Sequence, residues 1–302
     1  MTGIWGDRII PILGLTGEHN SGKTHFGLHI DPERTICFDF EKSAVAYQSQ
    51  LKFTHKDMRR IARLKYGPSP TPKQLFLAWQ AELQEIEPEQ YSVIMVDPIT
   101  DTLDMGHTSY VASRFESYGF NSEYSFTSSK GIFWGHVKNN LENIILDQAD
   151  RCETFCFTAH LKKVWKEGKA TNLDTPKGKD TLRQLASLYL HLERRAPRPG
   201  FPAQKFPSAL ILSCKSLTCF PPRLPEASPD KIRFYLDNPR DYATLTEEEK
   251  VPEEQLTDAE KLIILAGIED TKLSAANATL EAAKLQNKAA DARAMALQRL
   301  NG

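Results

Sequence analysis

The sequence has no apolar run long enough to cross a bilayer, and its opening residues Met1-Thr2-Gly3-Ile4-Trp5-Gly6-Asp7-Arg8 lack the layout of a secretory signal. A cytosolic protein is the expectation that follows. An excess of charge is also missing: the net charge is −1 over 302 residues, so no global basic field argues for nucleic acid. Cysteine is scarce and odd in number, with five in all: Cys37, Cys152, Cys156, Cys214 and Cys219. Neither Cys152/Cys156 nor Cys214/Cys219 has the two-residue spacing of a zinc knuckle, and buried reduced thiols are expected. What remains, 40% hydrophobic and 25% charged residues, is an ordinary globular composition. The length suits one large α/β domain with appendages, or two modest domains.

Against this plain background one stretch has few physical interpretations. Gly17 is followed, after four residues, by Gly22-Lys23-Thr24. The apolar run Ile9-Ile10-Pro11-Ile12-Leu13 reads as a strand before it, and Thr24 to His29 as the start of a helix after it. Glycines at this spacing let consecutive backbone N–H groups and the helix N-terminus face an anion. Lys23 would then reach the β- and γ-phosphates, and the Thr24 hydroxyl would ligate Mg²⁺. Gly17, Asn20, Ser21, Gly22, Lys23, Thr24 and His25 are therefore the candidate nucleotide-contacting residues.

Later segments fit a parallel α/β sheet whose strand ends share the edge of that loop. Arg34 to Glu41 reads as a short buried strand ending in acids, which places Asp39 and Glu41 near the nucleotide and makes Glu41 a candidate base for the attacking water. Leu75, Phe76, Trp79, Leu83 and Ile86 have helical period between Pro72 and Pro88. Tyr91 to Asp101 is an apolar run whose Asp97 suits the Mg²⁺ shell. From Asp104 to Ile132 no period emerges; an irregular segment is expected, whose aromatics either stack bases or pack on the sheet edge. Trp134 to Leu146 reads as a helix, and Thr154 to His160 as a buried strand that ends in a histidine, His160 being a candidate γ-phosphate sensor.

The rest is more basic and then more irregular. Lys162, Lys163, Lys166 and Lys169 begin a basic loop that leaves the catalytic edge, a candidate DNA- or partner-binding element. A second basic cluster, His55 to Arg60 with Arg63 and Lys65, reads first as a solvated helix or loop face. Tyr189 to Arg195 and Ala209 to Lys215 look like strands, joined by a proline-rich hairpin tip or linker. Arg194, Arg195 or Lys215 could act as a finger toward a neighbour's nucleotide. Pro221 to Pro225 is expected to end the regular core. From Thr257 the composition turns to Ala, Leu, Lys and Glu. There Leu273, Leu280, Asn287 and Ala294 recur every seven residues, giving a helix with a narrow seam.

Taken together, the phosphate loop, Phe38-Asp39-Phe40-Glu41, Val93 to Asp97 and Phe157-Thr158-Ala159-His160 resemble the ordered motifs of RecA-fold ATPases. The resemblance is closest to the phage-encoded RecA-like ATPases of the Sak single-strand-annealing group, over about Ile9 to Asp241. It implies ATP with Mg²⁺, Glu41 as the water-activating acid, and a polar His160 linking the γ-phosphate to DNA-binding loops. It further implies an oligomer, ring or filament, and a location in the host cytoplasm if the protein is phage-encoded. Ala209 to Cys219 resembles the strand that bears a Lys-x-Arg pair acting between subunits; Lys215 is present, and Leu217 stands where the arginine would be.

The sequence thus predicts an α/β fold with a RecA-like core, a mostly parallel central sheet flanked by helices, and a C-terminal helical tail. The expected divisions are a core at 1–245, an acidic linker at 246–256 and a helix at 257–302. The expected function is ATP hydrolysis coupled to DNA, single-stranded in preference, in recombination, annealing or replication. The alternative is a nucleotide-switched adaptor that grips a protein partner through the C-terminal helix.

Overall fold

The computed structural model describes residues 4–5, 10–118, 123–166, 169–176, 179–193, 205–214, 223–224 and 226–237. Within 109–134, 164–174, 176 and 179–180 the description is of the backbone alone. These residues lie in the first of two compact units, Met1–Val251; the second, Pro252–Gly302, lies outside the described residues, as do the expected acidic linker at 246–256 and the expected helix at 257–302.

The chain runs β1 (Ile12–Gly17), α1 (Lys23–Leu28), β2 (Thr35–Asp39), β3 (Thr54–Asp57), α2 (Met58–Tyr66), α3 (Pro72–Gln84) and β4 (Val93–Asp97). It continues through α4 (Ile99–Tyr118), α5 (Glu123–Ala149), β5 (Thr154–Ala159), β6 (Leu161–Lys166), β7 (Lys169–Pro176), α6 (Lys179–Leu185) and β8 (Leu188–Glu193). β9 (Ser208–Cys214), β10 (Arg223–Leu224) and α7 (Pro229–Asp237) complete it. One sheet has the order β10-β9-β8-β1-β5-β4-β2-β3. Its run from β8 to β3 is parallel, and β9 and β10 are added antiparallel at the β8 side. The mixed α/β, mostly parallel architecture expected from the sequence is the one observed.

The central strands are apolar throughout because both faces are covered. On one face Leu13, Leu15, Cys37, Met95, Cys156 and Leu190 join Phe26 and Leu28 of α1 and Ile232 and Leu236 of α7 in a single buried cluster. Alternate residues such as Ile94, Phe155 and Phe157 are also fully buried, on the opposite face by the strand period. α1 lies low on the sheet: a Cβ at Gly27 would stand 2.7 Å from the Met95 methyl. α3 starts at a capping box in which Gln74 N–H donates to Thr71 Oγ1 at 3.3 Å and Thr71 N–H donates to Gln74 Oε1 at 2.8 Å. Its Trp79 meets the Phe40 ring edge-on, with centroids 6.3 Å apart, and so packs behind the residue that precedes Glu41.

Three expectations are corrected. Of the segment from Asp104 to Ile132, 104–118 belong to α4 and 123–132 to the start of α5, while 119–122 lie outside the described residues; the helix read at Trp134 to Leu146 is part of the end of α5. No apolar stripe marks the sequence from Asp104 to Ile132, where Ser, Thr, Gly and aromatics are scattered, which hid its period; the end of α5 keeps one in Val137, Leu141 and Ile145. The basic loop after His160 is a β-hairpin, β6 paired with β7. The basic cluster near residue 60 falls on β3 and α2, where the exposed cations of α2 agree with a helix face turned to solvent. The regular core also continues past Pro221–Pro225 into α7. β8 and β9 pair antiparallel, so the proline-rich connection joins a hairpin, although 194–204 lie outside the described residues. Cys37 and Cys156 sit fully buried in β2 and β5. Among the described residues no helix is long and apolar enough to cross a membrane.

A test follows from α3, where two leucines differ only in where they point. Leu83 is 2% exposed and Leu77 42%. Leu83→Ala is expected to cost about 2–5 kcal/mol in urea unfolding, and Leu77→Ala under about 0.5 kcal/mol. Equal costs would mean that α3 does not pack as described.

Candidate functional site

The site begins where β1 stops. Gly17 has φ +146°, and a Cβ there would lie 2.3 Å from the Leu192 carbonyl oxygen of β8, so both conformation and space demand glycine. The chain then turns through exposed Glu18, His19 and Asn20, the last at φ 61°, and enters α1 through Gly22 in a left-handed conformation. The Lys23 ammonium folds back into this loop. It donates to the Gly17 carbonyl at 3.0 Å, the Glu18 carbonyl at 2.7 Å and Ser21 Oγ at 3.5 Å. Burial pushes the Lys23 pKa down, while the Asp97 and Glu41 carboxylates oppose that shift. A buried ammonium whose charge is under-compensated is a fit for an anionic group, and the triphosphate suits it.

Asp97 ends β4 beside this loop and is 4% exposed. Three hydroxyls from three elements donate to it: Thr24 Oγ1 of α1 at 2.7 Å, Ser43 Oγ from the turn after β2, and Thr158 Oγ1 of β5. Burial drives its pKa up, and the hydroxyls draw it back. Thr24 and Asp97 together present hard oxygen donors of the kind Mg²⁺ takes. When bound there, Mg²⁺ would neutralise phosphate charge.

Asp39 stands opposite Asp97 across the β2–β4 pairing, but its oxygens are occupied. They accept from the N–H groups of Glu41, Ser43 and Ala44 at 3.0, 3.2 and 3.0 Å, and pair with His55 Nε2 at 3.1 Å. Asp39 thus fixes the turn that carries Glu41. Glu41 Oε1 lies 2.9 Å from His160 Nε2, with both side chains about one-third exposed, at 37% and 34%. Asp101 from the first turn of α4 joins them; one donor atom from each of the three lies within 4.8 Å of the others. Burial, then Glu41, raises the Asp101 pKa, and His160 and Arg59 oppose this. Arg59 at the start of α2 approaches Asp101 at 3.8 Å and donates to the Phe40 carbonyl at 2.6 Å. A solvent-facing carboxylate in hydrogen-bond contact with an imidazole, beside a phosphate loop and a metal-binding pair, can orient and deprotonate a water.

A model of the AAA domain family matches residues 11–195, more than half of the chain. The chain belongs to the AAA domain family. Among curated proteins no match was found. Membership makes this a P-loop ATPase-type domain, with nucleotide binding and hydrolysis in general. The matched span of the AAA domain opens just before β1 and closes just after β8. It therefore includes the phosphate loop, Glu41, Asp97, His160 and the β6–β7 hairpin.

Of the residues singled out in the sequence, the structure brings Gly17, Ser21, Gly22, Lys23, Thr24, Glu41, Asp97 and His160 to one sheet edge. His25 points elsewhere: its ring packs on His29, Tyr47 and Phe206, with centroids 4.1, 5.6 and 5.2 Å away. Lys162 and Lys163 are exposed at the base of the hairpin, and Lys166 pairs with Lys169 beside its tip. Arg194, Arg195 and Lys215 lie outside the described residues. Ser43, Thr158, Asp101 and Arg59 went unrecognised in the sequence. Only Asp101, an acid four residues after Asp97 across a proline, left a visible trace.

The histidine pair gives a pH test. Burial, then His29, then Lys205 hold His25 at about 4, down from 6.5. The folded state therefore favours neutral His25. Between pH 6.5 and about 4 the unfolded chain binds the proton first, so stability present above 6.5 is lost as pH falls through that window. His25→Gln is expected to flatten the dependence of the urea midpoint on pH there. An unchanged slope would show that His25 is not held neutral.

Proposed function

We propose that this AAA domain hydrolyses ATP with Mg²⁺ and works on DNA, single-stranded in preference, as RecA-like phage proteins of the Sak annealing group do in recombination, annealing or replication. The observation that carries the reading is that Glu41 pairs with His160, and His160 is immediately followed by the lysine-bearing hairpin β6–β7. One contact thus joins the acid suited to activate water to the element suited to grip phosphates.

In this reading Lys23 and the amides of Ser21, Gly22 and Thr24 hold the phosphates, and Thr24 and Asp97 hold Mg²⁺. Glu41 takes a proton from the attacking water. His160 changes partner from Glu41 to the γ-phosphate when nucleotide is bound, and its movement reaches Lys162 and Lys163 through the peptide chain. The protein assembles as a ring or filament, with Arg194, Arg195 or Lys215 as candidate contacts to a neighbour's nucleotide. The C-terminal helix serves partner docking.

The test is ATP turnover with and without single-stranded DNA, for the wild type and Glu41→Gln. Turnover stimulated by DNA, and lowered about 10²–10⁴-fold in the variant, is the expected result. Turnover indifferent to DNA would sink the DNA reading. It would then favour an adaptor ATPase regulated by a protein held at the C-terminal helix.

A further inference from the structure

Beyond the residues of the site, the outer face of α2 presents cations with little neutralisation among the described residues. Its nine residues, Met-Arg-Arg-Ile-Ala-Arg-Leu-Lys-Tyr, contain four cations and no acid. Arg59 is committed to Phe40 and Asp101, and Lys56 just before the helix is paired with Glu82 at 2.7 Å. The N-capping carboxylate of Asp57 is spent on the Arg60 backbone N–H at 2.8 Å. Arg60, Arg63 and Lys65 remain exposed, with no carboxylate at ion-pairing distance among the described residues. Leu64, between Arg63 and Lys65, is 80% exposed, and the Lys65 ammonium stands 5.6 Å from the Tyr66 ring centroid.

A merely solvated helix in a chain with balanced charge would intersperse acids among these cations. Cations in succession, with an apolar and an aromatic side chain between and beside them, are instead the pattern of a surface that tracks a phosphate backbone and touches bases.

We propose that α2 is a second nucleic-acid contact, in which Arg60, Arg63 and Lys65 neutralise phosphates of a single strand that also meets the β6–β7 hairpin. This deepens the DNA reading above and rests on it. α2 leaves the end of β3, on the same sheet edge from which the hairpin leaves β5, so one strand can reach both. The contact also bears on chemistry. Arg59, in the first turn of α2, is bonded to the carbonyl of Phe40, the residue before Glu41, and sits beside Asp101. A strand drawn onto the helix therefore acts on the loop that positions Glu41.

The test measures binding of labelled oligodeoxythymidylate to the full chain at several salt concentrations between roughly 50 and 200 mM, for the wild type, Arg60→Gln/Arg63→Gln and Lys162→Gln/Lys163→Gln. Two lost phosphate contacts should make the slope of log K against log salt shallower by about 1.4, and weaken binding about 25-fold at about 0.1 M salt. Turnover without DNA should stay at the wild-type level in the Arg60→Gln/Arg63→Gln protein, since neither side chain lies in the catalytic machinery.

An α2 variant with wild-type affinity and slope, alongside a hairpin variant that binds weakly, would overturn this inference and leave the proposed function standing. No oligonucleotide binding by the wild type would overturn both. Binding of polyglutamate that matches the oligonucleotide in affinity and depends equally on Arg60 and Arg63 would make α2 an acidic-protein surface, and would also overturn the proposal.

Discussion

The carboxylate of Asp97 is the point on which the site depends. It is buried at the end of a strand, where an isolated charge would be costly, and the fold answers by turning three hydroxyls toward it. Each donor comes from a different element: Thr24 from α1, Ser43 from the turn after β2, Thr158 from β5. Satisfying one buried acid therefore fixes the relative positions of the phosphate loop, the Glu41 turn and the strand that ends in His160. The sheet order makes this possible, because β5 lies between the phosphate-loop strand and the Asp97 strand. Whatever follows β5 in the chain is bound to emerge between the two.

Asp39 works on the same principle with backbone donors. Its four contacts convert the chain after β2 into a rigid turn, and Phe40 is pinned between Trp79 behind it and the Arg59 guanidinium on its carbonyl. The proposed role of Glu41 would depend on that rigidity, since a base that wanders loses the alignment on which proton transfer depends. The sequence placed two acids at this edge. The structure separates their work, one being consumed in holding the turn and the other left to face solvent.

Legibility followed hydrophobic pattern closely. β1, β2, β4, β5, β8 and β9 are short continuous apolar runs and could be read directly, as could α3 with its capping box. β3, Thr-His-Lys-Asp, is a half-buried edge strand with no apolar signal, and it went unread together with α2. α4 was hidden because the packing face of its described turns uses Thr and Gly as well as Ile, Leu and Met; Gly106, for example, nests against Phe76 and Val137, whereas the end of α5 was legible. At the site, the loop glycines, Lys23, Thr24 and Asp97 were legible because their chemistry is bound to a spacing. The Glu41–His160 pair joins residues far apart in sequence, and hydroxyls such as Ser43 and Thr158 look like any others until the sheet brings them to Asp97.

The junction between β5 and β6 has a consequence of its own. Strand β5 ends at Ala159 and the hairpin begins at Leu161, leaving His160 as the whole of the connection. A linkage one residue long has no slack. The hairpin is therefore rooted within one residue of the sheet, at the residue that meets Glu41. On the proposed reading, a few glycines inserted at this junction would leave the hairpin and the phosphate loop intact while loosening the link between them.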